Sequence, residues 1–161
     1  MLRQIKAALA AFVALMCLFY ALQNVVNLQA AYGFVAYVAG MVGHETYPAH
    51  IGPAITSPAL LWLMLAIIVG LELLAGTLAA KGAFDMFRAR NGSADEFQAA
   101  KKYAIAGCAV AVLVWFGLFG GIAGAYFQMW QTEAGSTALH GSFWYSMQAG
   151  LVWLLIATRD E

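Results

Sequence analysis

The sequence predicts an all-α membrane protein in which four transmembrane helices form one compact bundle. The first observation is composition: of the 161 residues, 63% are hydrophobic and 10% are charged, whereas a soluble domain is nearer half apolar and a quarter charged. The second is a set of four apolar runs, each close to the length of about 20 residues that crosses a bilayer. The spans are expected at about residues 6–27, 58–80, 103–129 and 139–157.

The longest segment between the expected spans, residues 28–56, forms the first outer loop. Its first part, residues 28–41, is apolar and aromatic but too short to cross the bilayer. It is therefore expected to be an interfacial helix or an extension of the first helix. The second span is expected to begin at Pro58, because proline suits the first helical position and the hydroxyl of Ser57 suits the cap.

The distribution of positive charge predicts the topology. All eight lysines and arginines fall at the N-terminus, in the loop 81–102 or at Arg159, and none falls in the expected outer loops. Positive residues favour the cytoplasmic side, which places both termini and the loop 81–102 in the cytoplasm. Within this loop, Ser93 followed by Glu96 has the spacing of a capping box and predicts a helix start.

The third span has two distinct faces when it is wound at 100° per residue. One face carries glycines and continues into a glutamine: Gly117, Gly121, Gly124 and Gln128. The other face carries large rings: Trp115, Phe119, Tyr126 and Trp130. Because glycines let a neighbouring membrane helix approach closely, the glycine face is expected to pack inward and the rings to face lipid.

Two polar residues are candidates for buried positions within the membrane. Glu72 lies nine residues before Lys81, roughly 13 Å along a helix and close to mid-bilayer. Gln148 lies at a similar depth in the fourth span, eleven residues before Arg159. A carboxylate there is costly unless it is paired or protonated. Glu72 is therefore expected inside the bundle, where a pair with Gln148 would be a structural bond or a relay for a solute or ion.

A second polar group is expected at the outer ends of the first and third spans. It contains amides and one carboxylate: Asn24, Asn27, Gln128, Gln131 and Glu133. Amides carry both donors and acceptors, so two amide-bearing helix ends at one depth can satisfy each other. We expect either a hydrogen-bonded lid that fixes helix register or a small outward-facing pocket for a ligand or partner segment.

The sequence gives little indication of a catalytic or cofactor site. No span carries a histidine near its middle, where a haem between helices would need one. Imidazoles and carboxylates on the outer side suit zinc or copper, although their spacing is not diagnostic: His44, Glu45, His50, Glu133 and His140. The net charge of zero and the lack of a basic patch argue against nucleic-acid binding. No catalytic residue and no cofactor is assigned.

Two strings of residues carry a resemblance to a known family. They are Ile55-Thr56-Ser57-Pro58 and Phe127-Gln128-Met129-Trp130-Gln131-Thr132-Glu133. With them, nearly the whole chain resembles a bacterial family of predicted small integral membrane proteins that contains a domain of unknown function. The resemblance implies a four-span protein of the bacterial inner membrane. It implies no activity, so no functional residue is carried over.

Three functions remain compatible with these observations. The sequence favours a non-catalytic interaction module or accessory subunit in the lipid bilayer, with a membrane protein or a second copy of the chain as its partner. The alternative is a transporter or channel for a small solute or ion that uses Glu72 and Gln148. An outer metal site is the third and weaker interpretation.

Overall fold

A computed structural model describes residues 1–160 of the chain, and within them the secondary structure is helical with no strand. This confirms the all-α class. Six α-helices are α1 (Leu2–Val26), α2 (Leu28–Ala39), α3 (Pro58–Ala89), α4 (Ala94–Ala100), α5 (Lys102–Val112) and α6 (Glu133–Ala157). A π-helix, Leu113–Tyr126, continues directly from α5, and a short 3-10 helix, Met129–Gln131, precedes α6.

Three helices are long and apolar enough to cross a membrane: Leu2–Val26, Pro58–Ala89 and Ala94–Tyr126. The last of these joins α4, α5 and the π-helix into one rod. α6 is also long, with 25 residues, but it is not among the helices that reach this apolarity. The number of four spans therefore stays a prediction. α2 is a separate apolar helix of 12 residues that begins after a break in helical geometry at Asn27.

The charged segment 81–102 is mostly helical. α3 continues to Ala89, a turn follows, and α4 begins after Ser93. The capping box is confirmed: the amide of Glu96 donates to Ser93 Oγ at 3.2 Å, and the amide of Ser93 donates to Glu96 Oε2 at 2.7 Å. The hydrogen bonds that Ser93 N and Ser93 Oγ donate to Glu96 Oε2 lower the pKa of the Glu96 carboxyl below its ordinary value. α3 begins at Pro58 as expected, but the Ser57 side chain makes no capping hydrogen bond.

Helices α3 and α5 pack closely through glycines that the sequence analysis did not single out. At Gly107, an added Cβ would lie 2.7 Å from the backbone oxygen of Ala75, and at Gly82 it would collide with the backbone of Ala104. Small buried residues line both helices at this contact: Ala75, Ala79, Ala83, Ala104, Cys108 and Ala111. The backbones of α3 and α5 therefore meet with almost nothing between them.

The expected glycine face of the third span was wrong for two of its three glycines. An added Cβ at Gly117 would meet nothing within 4 Å, and Gly121 is exposed. Gly124 is buried and does lie against another helix, with Leu139 Cδ1 3.1 Å from an added Cβ. The physical reason is the π-helical winding of residues 113–126, whose i→i+5 bonds give a wider turn than the 100° spacing assumed.

The expected ring face was also wrong at Trp115, which is only 2% exposed. α1 and α6 each turn a tyrosine towards it. The ring centre of Trp115 lies 5.9 Å from that of Tyr20 and 5.6 Å from that of Tyr145, both in edge-to-face contact. Trp130 is partly exposed, at 39%. The indole of Trp115 is thus part of the core, not of the lipid-facing surface.

The bundle has two ends, and the features below belong to one or the other. The inner end contains the start of α1, the turn between α3 and α4, and residues 158–160. There the Arg3 guanidinium donates to Gly92 O at 2.7 Å. The outer end contains Asn27, the loop between α2 and α3, and the 3-10 helix. There Tyr47 N donates to Gln131 Oε1 at 2.8 Å.

Candidate functional site

Glu72 is a buried carboxylate near the middle of the 32-residue α3. The residue is 2% exposed, and its Oε2 accepts a hydrogen bond of 3.0 Å from Asn24 Nδ2 near the end of α1. Ala75 and Ala79 on the same side of α3 are fully buried. Since Asn24 is only half-buried, the pair extends from the core of the bundle towards its outer end.

Gln148 does not join this pair. It is exposed, and the hydrogen-bond partner of Glu72 is Asn24 instead. The reason is the orientation of α6, which turns its small residues Ser146 and Ala149 inward and leaves the intervening Gln148 facing outward. The expected relay between Glu72 and Gln148 is therefore not formed in the described chain.

The expected outer polar cluster is divided into separate groups. Asn24 bonds Glu72, while Asn27 bonds backward to Gln23 O at 3.0 Å and remains exposed. The third-span amides bond each other, with Gln131 Nε2 donating to Gln128 Oε1 at 2.6 Å. Glu133 is exposed at the first turn of α6. Gln128 has a left-handed backbone (φ 50°) between the end of the π-helix and the 3-10 helix.

The side chain of Gln131 forms hydrogen bonds with the backbone N–H and C=O of Tyr47 in the first outer loop. Its Oε1 accepts from Tyr47 N at 2.8 Å, and its Nε2 donates to Tyr47 O at 3.2 Å. The rings of Tyr47 and Trp130 meet edge to face at 5.4 Å between centres. An amide side chain matches a backbone peptide in both donor and acceptor. The loop is therefore fixed to the 3-10 helix in a single register.

Two histidines meet in this fixed loop. The ring centres of His44 and His50 lie 5.3 Å apart at an angle of 61°. The Nδ1 atoms of both rings are buried and have no hydrogen-bond partner among residues 1–160. Burial and the nearby His50 lower the pKa of His44 below its ordinary value of 6.5. Within the same residues, no three His, Cys, Asp or Glu side chains form a metal-holding group, so the five-residue outer set is not assembled.

An apolar cleft of about 540 Å³ opens between α2, α3 and the π-helix near the outer end. Its walls are apolar on all three sides: Phe34, Val38, Met64, Ile68, Gly121 and Ile122. Phe127 and Met129 close it towards the outer end and are themselves buried. The cleft exists because α3 and the rod of α5 and the π-helix touch at Gly107 and separate beyond it.

The inner end contains a buried ionic cluster. Lys6 Nζ donates to Asp160 Oδ2 at 2.7 Å, to Thr158 O at 3.0 Å and to Thr158 Oγ1 at 2.8 Å. Lys101 Nζ pairs with the same Asp160 oxygen and donates to Thr158 O at 2.7 Å and Gln98 Oε1 at 2.8 Å. Both lysines are fully buried. Each ammonium has three acceptors for its three protons, which makes the burial tolerable.

Burial opposes the ionisation of Asp160, but the hydrogen bonds from Lys101 and Lys6 outweigh it and lower the pKa of Asp160 below its ordinary value of 3.8. The sequence analysis used Lys6 and Lys101 only as topology signals and assigned Asp160 no contact. The available signal was an acidic residue three positions after the end of the last helix, on the side where the lysines lie.

Comparison with known proteins identifies a family. A family model with the description "Predicted small integral membrane protein (DUF2165)" matches residues 2–157. No curated protein and no solved structure matches the chain.

Proposed function

Because the chain belongs to this family of predicted small integral membrane proteins, we propose that it is a non-catalytic interaction module. It is an accessory subunit of a larger assembly in the bacterial inner membrane. α6 is the fourth span, since its 25 residues give a length of about 37 Å, more than a bilayer core needs. The partner is a membrane protein that inserts one transmembrane helix into the cleft between α2, α3 and the π-helix.

The observation that carries this proposal is the unpartnered glycine surface beside the cleft. Gly117 has open space around it, and Gly121 is exposed and lines the cleft. Membrane helices associate through small residues, because close backbone approach supplies the packing that a hydrophobic driving force supplies in water. A cleft of about 540 Å³ also has room for several large apolar side chains of a docked helix.

The distribution of charge supports an orientation with both termini in the cytoplasm. Arg3, Lys6 and Lys101 lie at the inner end with residues 158–160, and positive residues favour the cytoplasmic side. An impermeant thiol reagent applied to intact spheroplasts tests this orientation in a background without Cys17 and Cys108. It should label a cysteine at position 44 but not one at position 92. Labelling of position 92 from outside would reverse the orientation.

Photocrosslinking tests the docking site directly. A photoreactive residue at Ile122, an exposed residue of the cleft, should give one major protein adduct in native membranes. The same residue at Leu154, which is 67% exposed on α6, should not give that adduct. Mass spectrometry of the adduct distinguishes a partner protein from a second copy of the chain or from lipid. Adducts with lipid alone at position 122 would refute the proposal.

A pair of glycine variants gives the matched control. Gly121→Leu fills the docking surface and should reduce the adduct at position 122 by about tenfold or more, since bulk prevents close helix approach. Gly70→Leu adds the same side chain at another exposed helix glycine with open space around it, and it should leave the adduct unchanged. Equal adduct yields in the two variants would contradict docking at Gly121.

A transporter is the second candidate, and the buried Glu72–Asn24 pair is the observation that favours it. Intramembrane carboxylates often take part in proton or ion pathways. In proteoliposomes with a pH gradient, a proton-linked transporter would show wild-type flux that Glu72→Gln abolishes. An interaction module would show no flux above empty liposomes, and Glu72→Gln would still give the adduct at position 122.

A further inference from the structure

The loop that carries His44 and His50 is fixed at several points, so the two imidazoles are held together. Tyr47, between them in the chain, is bound to Gln131 by two hydrogen bonds. Beyond His50, Ile55 N donates to Ala39 O at 2.8 Å. Gly52 lies so close to the Tyr126 ring that an added Cβ would collide with it. The proximity of the two imidazoles therefore follows from anchored backbone on either side.

The two Nδ1 atoms lack hydrogen-bond partners in the described part of the chain. Both are buried, and neither has a donor or an acceptor within residues 1–160. A buried polar atom without a partner costs about 1–3 kcal/mol. Such atoms in a folded protein call for an explanation, and a bound water or ion is the usual one.

We propose that His44 and His50 bind a divalent transition-metal ion of the zinc or copper class through their Nδ1 atoms. Imidazole nitrogen is a preferred ligand for these ions. The ring centres lie 5.3 Å apart, which leaves room for an ion about 2.1 Å from one nitrogen of each ring. Neither histidine lines the cleft between α2, α3 and the π-helix.

Two protein ligands leave the other coordination positions to water or to an exogenous ligand. No third His, Cys, Asp or Glu of residues 1–160 completes the group. Structural zinc sites have four protein ligands and catalytic ones three, so a two-histidine site is expected to exchange its ion readily. The exposed Glu45 beside His44 adds negative charge near the site and favours a cation.

The test uses the full-length chain purified in detergent and Zn²⁺ or Cu²⁺ alone as the probe. Equilibrium dialysis at pH 7.5 should show one saturable ion per chain. Loss of a direct ligand should weaken binding at least as much as loss of a supporting residue does, about 10- to 100-fold, in both His44→Gln and His50→Gln. His140→Gln is the matched control, because His140 is exposed on α6 and should bind like wild type.

Two further readouts use the wild-type chain and do not depend on whether the variants fold. Zn²⁺ should protect His44 and His50 from diethyl pyrocarbonate while His140 continues to react. The electron paramagnetic resonance spectrum of bound Cu²⁺ should show coupling to two imidazole nitrogens. Unchanged affinity in the His44 and His50 variants, or equal protection of all three histidines, would overturn the site and leave the two rings as an edge-to-face pair.

Discussion

The inner and outer ends of the bundle are closed by different kinds of contact. At the inner end, helices touch backbone to backbone at Gly82 and Gly107, and two buried lysines share Asp160. At the outer end, the helices separate around an apolar cleft, and the loop is held by the Gln131 amide. The comparison teaches that buried charges and backbone contacts close one end, while the other end leaves an apolar surface uncovered.

Removing the Asp160 carboxylate, which Lys6 and Lys101 share, should reduce the stability of the fold more than any other change predicted below. Asp160→Asn leaves two buried lysines without a counter-charge, which typically costs about 3–5 kcal/mol in the free energy of unfolding. Asp85→Asn is the matched control, since its i,i+4 pair with Lys81 is partly exposed and contributes about 0.3–0.5 kcal/mol. Unfolding in mixed micelles of increasing denaturing detergent measures both. Similar losses in the two variants would mean that the inner cluster is not a major stabilising contact.

Acidification should cause the same loss of stability in the wild-type chain. The folded state holds the pKa of Asp160 below its ordinary value of 3.8. The stabilisation is therefore complete above about pH 3.8 and is lost as the pH falls through the lower folded value. A stability profile between pH 2 and pH 6 should show this loss in wild type and lack it in Asp160→Asn. Profiles of identical shape would exclude Asp160 as its origin.

Gly107 lies in the contact between α3 and α5, whereas Gly117 has open space around it. The same substitution should therefore have different effects at the two glycines. Gly107→Leu places a side chain against the backbone of α3, and overpacking of this kind costs about 1–3 kcal/mol or more. Gly117→Leu enters open space and should leave the thermal midpoint of the monomer nearly unchanged. A fluorescent thiol-dye melting assay with the buried cysteines as reporters compares them. Equal midpoints for both variants would show that α3 and α5 do not meet at Gly107.

Loss of the Asn24 amide should cost no more than overpacking at Gly107, because it breaks a single hydrogen bond. Asn24→Leu leaves Glu72 without its partner, an effect of about 1–3 kcal/mol for a buried group. Asn27→Leu removes an amide that bonds only within its own exposed helix end and should be nearly neutral. Denaturing-detergent titration measures the difference. If Asn27→Leu were the more harmful change, the two asparagines would have the reverse roles.

The smallest effect is expected at the loop clamp. Gln131→Leu removes both hydrogen bonds to the backbone of Tyr47, and each net contribution is about 1 kcal/mol or less at an exposed site. Hydrogen exchange of residues 43–53 should accelerate, with little change in global stability. Gln148→Leu, at an exposed position of α6, is the control and should leave exchange in this loop unaltered. Unchanged loop exchange in Gln131→Leu would assign the loop's order to its apolar contacts.

Local patterns were the part of the fold that the sequence could predict. The helix start at Pro58 and the capping box of Ser93 and Glu96 depend on neighbours three residues apart or fewer, and both are present. The glycine face failed because the 100° spacing does not hold in a π-helix. Trp115 was assigned to lipid, since nothing in its own helix signals that Tyr20 and Tyr145 approach from elsewhere.

The candidate site was harder to predict from the sequence, because it is formed by contacts between residues that are far apart in the chain. Gln148 was paired with Glu72 by depth alone, but depth does not fix the rotation of a helix about its axis. The alanine repeat of α3, Ala75, Ala79 and Ala83, was a usable signal for the close contact at Gly107, since small residues four apart mark membrane helix interfaces. The proximity of His44 and His50 arises from a loop whose course the sequence does not encode in any regular period.

The lysine cluster has a consequence for the order of assembly. Lys6 and its partner Asp160 are 154 residues apart in sequence, so Lys6 is synthesised and α1 enters the membrane long before Asp160 exists. During that interval the ammonium group of Lys6 is hydrated and under the proposed topology helps to retain the N-terminus in the cytoplasm. Once α6 is in place, the same charge becomes a bond within the folded chain. The Lys6 side chain thus first helps to orient the nascent protein and later links the start of α1 to the residues that follow α6.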